Sequence, residues 1–344
     1  MRCGVLIPAY QPDGGLPELV SGLEAAGLEA VVVDDGSTAG LEAFRLLEQR
    51  GTAVLRHPEN RGKGRALKTG LAYMAGQGFQ AAVTADADGQ HTVEDILRVA
   101  RALEEHPGRL ILGARDVAQM LPRSRAGNTL TRRLFQILHG IRLQDTQTGL
   151  RGIPFTESSI PGLLELSGDR YEYEMEMLLY SGRLFPEGVT EIPIETIYLN
   201  QNQSSHFRPL ADGMKIYRIL FRDFPRFLCS SLLAFGLDYA AFNALYYLVF
   251  RRTLPATVLA RVLSAGVNFQ VNRSVVFRAE GTSYTAWNYL KLALCLLALN
   301  GGAMYLLVDV LGLPAAVMKL IVEALLYLSS FAVQSRLAAR ARRR

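Results

Sequence analysis

The sequence is poor in cysteine and in charge for its length. Its three cysteines, Cys3, Cys229 and Cys295, lie far apart and in no CxxC spacing among 344 residues, which predicts neither a disulfide framework nor a structural zinc site. Charged residues make up 20% of the chain and apolar residues 49%, whereas an average soluble protein is about 25% charged. The composition excludes a disordered chain and argues against a wholly soluble protein.

Several sequence signatures are also missing. No apolar segment before Pro8 is long enough for a secretory signal peptide, so we expect the first domain to stay in the cytoplasm. The phosphate-binding spacing G-x-x-x-x-G-K-[ST] and the dinucleotide fingerprint G-x-G-x-x-G are both absent. ATP hydrolysis and nicotinamide chemistry therefore lack their usual marks in this chain.

Positive charge is concentrated in the last third of the chain. Residues 1–224 carry a net charge of −4 and residues 225–344 a net charge of +9, although the whole chain carries only +5. A chain of this length suggests two domains, and the uneven charge predicts that the two meet different solvents.

The first part has the rhythm of a Rossmann-like α/β domain. Short apolar runs alternate with segments in which Leu, Ala and Val recur three or four residues apart, which favours a mostly parallel sheet covered on both faces. The predicted strands are 5–7, 30–33, 53–55, 81–85 and 110–112, and the predicted helices are 16–26, 41–50, 65–75 and 93–104.

The last third predicts a four-span transmembrane bundle. Its apolar stretches, at 226–250, 254–272, 289–311 and 315–335, each have roughly the 20 residues that a bilayer-spanning helix needs. Ten Lys and Arg residues flank the side of the N-terminal domain, and only Arg251 and Arg252 flank the other. The positive-inside rule then predicts a multi-pass protein of the cytoplasmic (inner) membrane with both termini in the cytoplasm.

These patterns predict four segments. We expect a catalytic domain over residues 1–205, an amphipathic linker helix at the membrane interface over 206–225, a four-helix membrane domain over 226–338 and a basic cytoplasmic tail over 339–344. The linker mixes apolar side chains with arginines, as helices at lipid headgroups do. An ordinary surface helix is the alternative.

The most informative motif is the run from Thr84 to His91, at the end of the fourth predicted strand. Asp86 and Asp88 are two residues apart, so their side chains point the same way if the strand continues. Two carboxylates there can hold Mg²⁺ or Mn²⁺ against the oxygens of a diphosphate. A simple turn is the alternative.

Two further clusters follow other strands. Asp34 and Asp35 end the second strand, where carboxylates suit the hydroxyls of a ribose or the edge of a base, an N-cap being the alternative. Tyr10, after the first strand, offers a ring to a nucleobase. The glycines around Lys63 open a helix, so that backbone N–H groups and an ammonium group can approach phosphate oxygens.

Together these clusters resemble the family-2 glycosyltransferases of GT-A fold. The motifs at 145–151, 170–176 and 192–198 are similar to those of the polyprenyl-phosphate sugar transferases, the dolichol-phosphate mannose synthase group, and the resemblance spans residues 3–222. It implies a metal-dependent, inverting transfer of a hexose from a nucleotide-diphosphate sugar to undecaprenyl or dolichol phosphate. Such a reaction would occur on the cytoplasmic face and serve cell-envelope polysaccharide synthesis or protein glycosylation.

The resemblance also implies residue roles. The nucleotide would contact Pro8, Tyr10, Asp34, Asp35, Asp86 and Ala87. The metal, Mg²⁺ or Mn²⁺, would be held by Asp86, Asp88 and Gln90. The lipid phosphate would meet Arg115, Arg125 and Arg208, and the residues expected to act in catalysis are Lys63, Asp88, Arg115 and Asp145. Many relatives have Asn-Glu where this chain has Gln11-Pro12.

The remainder resembles GtrA-like four-helix membrane domains, on the stretch 260–273. Within it Arg261, Asn268 and Asn272 share one helix face and are expected to point into the bundle. Two interpretations stay open: polar groups that hold the helices together, or a pathway for a lipid headgroup. In the second case the membrane domain would flip the lipid-linked sugar that the soluble half loads.

Other functions have less support. A processive polysaccharide synthase is disfavoured because the Q-x-x-R-W signature is absent. Binding to nucleic acid is not expected, since the basic residues follow the membrane topology. The expected partners are therefore the nucleotide sugar, the polyprenyl phosphate and the lipid bilayer, and a homo-oligomer stays open.

Overall fold

The computed structural model describes residues 1–197, 209–251, 253–278 and 284–341. The chain separates into two compact units. The N-terminal unit comprises Met1–Leu134 and Arg142–Ile219, and the C-terminal unit comprises Phe135–Ile141 and Leu220–Arg344. The predicted boundary at 205/206 and the residue Arg208 lie outside the described residues. The four predicted segments therefore stay a prediction.

The N-terminal unit is built on a seven-stranded mixed sheet. Its strands lie in the order β3-β2-β1-β4-β6-β5-β7. They are β1 Cys3–Ala9, β2 Glu29–Asp34, β3 Ala53–Arg56, β4 Ala81–Thr84, β5 Leu110–Arg115, β6 Arg151–Pro154 and β7 Val189–Ile194. β6 runs antiparallel to both of its neighbours, whereas the other neighbouring pairs are parallel. The predicted α/β fold and its five strands are confirmed, and β6 and β7 are additional.

Nine helices accompany the sheet in the described part of the chain up to Leu220. They are α1 Gly15–Ala25, α2 Leu41–Gln49, α3 Lys63–Gly76, α4 Val93–Glu105, α5 Pro122–His139, α6 Ser159–Leu164, α7 Glu172–Leu179, α8 Ser181–Leu184 and α9 Pro209–Leu220. The buried faces of α1, α2 and α4 pack in one core with the buried residues of β1, β2 and β4. Each such buried Val, Leu or Ile contributes about 1.5–3 kcal/mol relative to exposure.

The strand register places the ends of β1, β2 and β4 at one edge. Ala9 pairs with Asp34, and Leu6 pairs with Thr84. The residues that follow these strands therefore emerge side by side beyond the carboxyl edge of the sheet, where open α/β folds bind ligands.

Helix α9 falls within the predicted amphipathic linker. Met214 is exposed, as a residue at a lipid surface would be, but Ile216 and Leu220 are buried. The interfacial position of this helix stays a prediction.

The C-terminal unit is helical. Its helices are α10 Phe224–Ala244, α11 Thr253–Val271, α12 Ala286–Met304 and α13 Ala315–Ala341, and π-helical segments continue the first three over Leu245–Phe250, Asn272–Val276 and Tyr305–Val310. Three helices are long and apolar enough to cross a membrane within the residues described, at Phe224–Val249, Ala286–Val310 and Leu320–Arg340. Helix α11 is not among them, so a bundle of four spans stays a prediction.

A line of polar contacts, here called the polar ladder, follows one face of α11. Ser264 Oγ donates to Asp238 Oδ1 of α10 at 3.0 Å. Ser230 Oγ of α10 donates to Asn268 Oδ1 at 3.0 Å. Asn272 Nδ2 donates to Asn268 Oδ1 at 3.0 Å and contacts Gln334 Oε1 of α13 at 3.1 Å.

The position of Arg261 differs from the expectation. Asn272 is fully buried, as predicted for a residue that points into the bundle, but the Arg261 side chain is 73% exposed. Its guanidinium group reaches Asp238 at the rim of the α10–α11 contact. The prediction that Arg261 points inward is wrong, because helical periodicity fixes a face but not the point at which a neighbouring helix stops covering it.

Two glycines of α3 allow a matched test of the helix–sheet contact. A Cβ at Gly70 would lie 2.1 Å from Leu6 Cδ1, whereas a Cβ at Gly76 would have no atom within 4 Å. Gly70→Ala should overpack the core and destabilise the N-terminal unit by about 1–3 kcal/mol. Gly76→Ala should stabilise it by up to about 1 kcal/mol, because Ala favours the helix. Thermal unfolding of the full chain, monitored by proteolytic cleavage of the N-terminal unit, gives an unfolding midpoint for each variant. Equal midpoints for Gly70→Ala and Gly76→Ala would contradict the close approach of α3 to β1.

Candidate active site

The two aspartates of the Thr84–His91 run lie together beyond β4. Asp88 Oδ1 accepts a hydrogen bond from the Gln90 amide at 3.1 Å. Burial and the neighbouring charge of Asp86 raise the pKa of Asp88 above its ordinary value. The pKa of Asp86, by contrast, is lowered. Burial alone would raise it, but the nearby charge of Lys63 and the contact with His91 outweigh the effect of burial.

Lys63, the first residue of α3, joins two elements at this edge. Its ammonium nitrogen lies 2.6 Å from Asp86 Oδ1 and 3.1 Å from Glu174 Oε1 on α7. Burial by itself would lower the pKa of Lys63, but the charges of Asp86 and Glu174 reverse this and raise it. The lysine is therefore charged at neutral pH.

Arg151 holds the backbone of Glu174 in place. It is buried at the start of β6, and its guanidinium group donates to the carbonyl oxygens of Thr148 at 3.0 Å and Glu174 at 2.7 Å. These bonds fix the first turn of α7, which carries the Glu174 carboxylate. Sequence reasoning quoted Arg151 and Glu174 as parts of motifs but did not find that they support Lys63.

Gly149 allows the backbone to pass close to Asp86. The Thr84 hydroxyl donates to the Gly149 carbonyl at 2.8 Å, which ties the end of β4 to the segment before β6. A Cβ at Gly149 would lie 2.4 Å from Asp86 Oδ2. A larger residue in this position would require the Asp86 carboxylate to move.

Asp34 and Asp35 lie at the predicted edge, but their carboxylates already form hydrogen bonds within the protein. Asp34 Oδ1 accepts from the Ser37 amide at 2.8 Å. Asp35 contacts His57 Nδ1 at 2.7 Å and accepts from the amides of Arg61 at 2.9 Å and Gly62 at 2.7 Å. Asp35 therefore holds the loop that leads to Lys63, and its contact with a nucleotide stays a prediction.

The glycines around Lys63 have a packing role. The Gly62 amide already donates to Asp35 Oδ2, so it does not point freely at a ligand. A Cβ at Gly64 would lie 2.6 Å from Tyr173 Cβ. These glycines bring α3 against the segment before α7, which is what places Lys63 near Glu174.

Tyr10 and its neighbours form the rim of the edge beyond β1. Gln11 has a φ of +49°, a conformation that Asn adopts more readily than Gln. Its backbone amide donates to Ser37 Oγ at 2.8 Å, and its side-chain amide contacts the Tyr10 hydroxyl at 3.2 Å. The departure from Asn-Glu thus falls at a turn in which the first residue, Gln11, has a positive φ. Pro8 pairs with Val33 inside the sheet, and Ala87 is half-buried between Asp86 and Asp88.

Half-buried Arg115, at the end of β5, forms an ion pair with Asp145. Arg115 Nε lies 2.7 Å and Nη2 3.3 Å from the two Asp145 oxygens. Asp145 is fully buried and also accepts from Asn128 Nδ2 at 3.0 Å. The Arg125 guanidinium group donates to the carbonyl of Met120 at 3.1 Å. The lipid-phosphate role of these arginines stays a prediction.

The residues at the end of β4 suit a divalent cation. No group of three His, Cys, Asp or Glu side chains forms a metal cluster in the described ranges, but the predicted set is two carboxylates and the Gln90 amide. These are the hard oxygen donors that Mg²⁺ and Mn²⁺ prefer. Asp88 has no ion pair among the described residues, although it lies beside Asp86. A cation would supply the missing positive charge, so the residues fit.

Comparison with known protein families assigns both parts of the chain. Residues 4–158 match the family described as Glycosyl transferase family 2, and residues 226–339 match the GtrA/DPMS transmembrane domain. The chain therefore contains a Glycosyl transferase family 2 domain followed by a GtrA/DPMS transmembrane domain. The resemblance inferred from the sequence is thereby confirmed.

The chain is also similar to two named glycosyltransferases over more than half of its length. The UDP-N-acetylglucosamine–dolichyl-phosphate N-acetylglucosaminyltransferase of Methanococcus voltae is 27% identical over 63% of this chain and 94% of its own length. The undecaprenyl-phosphate mannosyltransferase of Micrococcus luteus is 28% identical over 56% of this chain and 83% of its own.

One solved structure supports the fold. Glucosyl-3-phosphoglycerate synthase from Mycobacterium tuberculosis, in complex with Mn²⁺, UDP-glucose and phosphoglyceric acid, superposes with a TM-score of 0.51. The two chains are 17% identical, over 64% of this chain and 78% of the other. The likeness shows the GT-A-type fold of the glycosyltransferase domain.

The close approach of Gly149 to Asp86 can be tested by adding one methyl group. Gly149→Ala should push the Asp86 carboxylate away from Lys63 and lower kcat/KM for glycosyl transfer about 100-fold, since displacements near 1 Å have such effects. Gly127→Ala on α5 is the matched control, because a Cβ there has no atom within 4 Å. Wild-type kcat/KM for Gly149→Ala, in a protein that unfolds at the wild-type temperature, would contradict this placement.

Proposed function

We propose that this glycosyltransferase moves a hexose from a nucleotide-diphosphate sugar to a polyprenyl phosphate, undecaprenyl or dolichol, in a metal-dependent, inverting reaction. The observation that carries the proposal is the cluster of Lys63, Asp86 and Asp88 at the carboxyl edge of the sheet. A buried ammonium group and two carboxylates at one point suit the diphosphate of a donor together with its cation. The names of the relatives support a polyprenyl or dolichyl phosphate as the acceptor.

The acceptor needs little help from a base. The second pKa of a phosphate monoester is about 6, so its oxygen is already anionic at neutral pH when it attacks the anomeric carbon. The bond from that carbon to the donor diphosphate breaks as the new bond forms, and displacement from the opposite face inverts the centre. Catalysis then consists of positioning and charge neutralisation.

The two other carboxylates of the site agree with this scheme. Asp145 is bound to Arg115, and Glu174 is bound to Lys63. Neither carboxylate has to accept a proton, and each holds a positively charged side chain in place. We infer that Lys63 moves from Asp86 toward the leaving diphosphate when the donor binds, and that Arg115 and Arg125, with Arg208, meet the acceptor phosphate.

A divalent cation would be held by Asp86, Asp88 and Gln90. When bound, Mg²⁺ or Mn²⁺ would neutralise the charge that develops on the diphosphate. The remaining contacts assigned to the nucleotide are Pro8, Tyr10, Asp34, Asp35 and Ala87, which line the neighbouring strand ends.

The membrane domain places the enzyme where its lipid substrate is found. We infer four spans in the cytoplasmic membrane, with both termini in the cytoplasm, from the apolar stretches and the uneven positive charge. A flippase role for this domain is the second candidate, and the polar ladder is the observation that favours it. The products would serve cell-envelope polysaccharide synthesis or protein glycosylation.

The metal and acceptor assignments can be tested in membranes that contain the full chain. Radiolabelled UDP-glucose, UDP-N-acetylglucosamine and GDP-mannose are each supplied with undecaprenyl phosphate or dolichyl phosphate, and labelled lipid is extracted. One donor should give labelled lipid, a chelator should abolish it, and Mg²⁺ or Mn²⁺ should restore it. Asp88→Ala should lower the rate at least about 100-fold, because one of the two carboxylate ligands is lost.

Glu105→Ala is the control for this experiment, since Glu105 is exposed at the end of α4. Unchanged turnover of Asp88→Ala would overturn the metal assignment. Absence of labelled lipid with every donor and both acceptors would overturn the proposed acceptor.

A further inference from the structure

His57 is a buried histidine that has no part in the mechanism described so far. It follows β3, and its backbone amide donates to the Asp34 carbonyl oxygen at 2.9 Å. Its side chain is only 6% exposed. Both ring nitrogens have partners: Nδ1 lies 2.7 Å from Asp35 Oδ1, and Nε2 lies 3.0 Å from Thr69 Oγ1 on α3. The ring therefore connects the edge of the sheet to the helix that begins with Lys63.

The Asp35 carboxylate is the point at which this connection meets the loop before α3. Its side chain is 4% exposed, and it accepts hydrogen bonds from the backbone amides of Arg61 at 2.9 Å and Gly62 at 2.7 Å. Gly62 is directly followed by Lys63. A buried charge needs such partners, and hydrogen bonds to an ionised group are short and strong. The orientation of this carboxylate therefore decides where the backbone before Lys63 lies.

The loop has little room to move around the carboxylate. Gly36 has a φ of +74°, and a Cβ there would lie 2.2 Å from the carbonyl carbon of Glu59 and 2.5 Å from the amide nitrogen of Asn60. The loop thus passes directly over the turn that follows β2. Because protein interiors are close-packed, a rotation of the Asp35 carboxylate has to shift the loop.

His57 selects one orientation of the carboxylate. The imidazole ring is rigid, and Thr69 holds its far side, so Nδ1 meets Asp35 Oδ1 at a fixed position. Loss of the ring would leave the two backbone amides as the remaining partners of the carboxylate within the described chain. It would also leave a cavity beside the carboxylate, into which the carboxylate could turn.

We propose that His57 is a positioning residue of the transfer reaction, which places Lys63 through the Asp35 carboxylate. The inference rests on the proposed function, in which Lys63 takes up the leaving diphosphate. Asp35 is also a proposed contact of the nucleotide, and Oδ2 accepts one hydrogen bond among the described residues, although a carboxylate oxygen can accept two. One carboxylate then joins the nucleoside end of the donor to the lysine at its diphosphate end.

The effect of His57 should appear in kcat. Lys63 neutralises charge that develops on the diphosphate as the bond to the sugar breaks, and loss of an interaction made in the transition state lowers kcat. A histidine that served only the contact between Asp35 and the nucleotide would instead act on the KM of the donor. The two parameters therefore separate the two roles of the Asp35 carboxylate.

Two substitutions of His57 separate its two contacts. Asn carries its amide at the place of Nδ1, so His57→Asn still donates to Asp35, whereas the amide of Gln lies further out, near Thr69. In membranes that contain the full chain, with the donor that gives labelled lipid, His57→Gln should lower kcat at least about tenfold, because a displacement near 1 Å can cost about 100-fold. His57→Asn should keep kcat within about threefold of the wild type, since its bond to the carboxylate remains.

His106→Asn is the matched control for these variants. His106 is half-buried at the C-terminal end of α4, whereas His57 lies at the edge of the sheet that carries the candidate site. The same substitution there should leave kcat unchanged.

Combination with Lys63→Met shows whether His57 acts through the lysine. If it does, His57→Gln should lower kcat less than about twofold in a chain that already carries Lys63→Met, because residues on one path are not additive. Thr69→Val keeps the shape of its side chain and removes the hydroxyl, so it is a milder test of the same path. It should lower kcat about threefold in the wild type and leave it unchanged in Lys63→Met.

The outcomes separate this inference from the proposed function. Loss of the same factor with and without Lys63→Met would overturn the inference, because a general defect in folding or nucleotide binding does not depend on the lysine. Equal kcat values for His57→Asn and His57→Gln would also overturn it, and this comparison decides alone if Lys63→Met is too slow to measure. If His57→Gln does not fold, the two Thr69→Val measurements decide in the same way.

These results concern His57 and leave the transfer reaction standing. Absence of labelled lipid with the wild-type chain, for every donor and both acceptors, would overturn the proposed function and this inference with it.

Discussion

The candidate active site depends on one mostly buried lysine between two carboxylates. Lys63 contacts Asp86 at 2.6 Å and Glu174 at 3.1 Å, so it joins the start of α3 to the end of β4 and to the first turn of α7. Buried charges are tolerated only when they are paired and hydrogen-bonded. Gly62, Gly64 and Gly149 allow the close approaches that this pairing requires, and Arg151 holds the backbone of Glu174. Asp88 remains beside this network as a carboxylate without an ion pair in the described chain.

The sequence was sufficient to predict the β1–β5 strands and the edge at which the acids gather. Alternation of apolar runs and helical segments is a local property. Asp35 and Asp86 follow the ends of two parallel strands, so the sheet must bring them to one edge. β6 was not predicted because its four residues, Arg151 to Pro154, include arginine, glycine and proline. Its place between β4 and β5 is set by tertiary packing.

The partners of the site residues were not predictable in the same way. Glu174 is more than a hundred residues from Lys63, and no periodicity relates them. No periodicity relates Asp145 and Arg115 either, which pair within the protein. The sequence suggested a catalytic role for each, and a contact with the acceptor phosphate for Arg115. In the membrane domain, periodicity placed Arg261, Asn268 and Asn272 on one face correctly. It could not show that α10 and α13 cover Asn272 and leave Arg261 exposed.

The central claim is that Lys63 and a divalent cation share Asp86, and that the diphosphate of the donor takes the lysine when it binds. The most direct test is to measure the affinity of the full chain for Mn²⁺ by electron paramagnetic resonance, with and without UDP and GDP. In the wild type, the nucleotide that the enzyme uses should tighten Mn²⁺ binding, because binding free energies of coupled ligands are reciprocal. In Lys63→Met, Mn²⁺ alone should bind about tenfold more tightly than to the wild type, and the nucleotide should add less. Equal Mn²⁺ affinity in the two proteins, with the same response to nucleotide, would contradict the account.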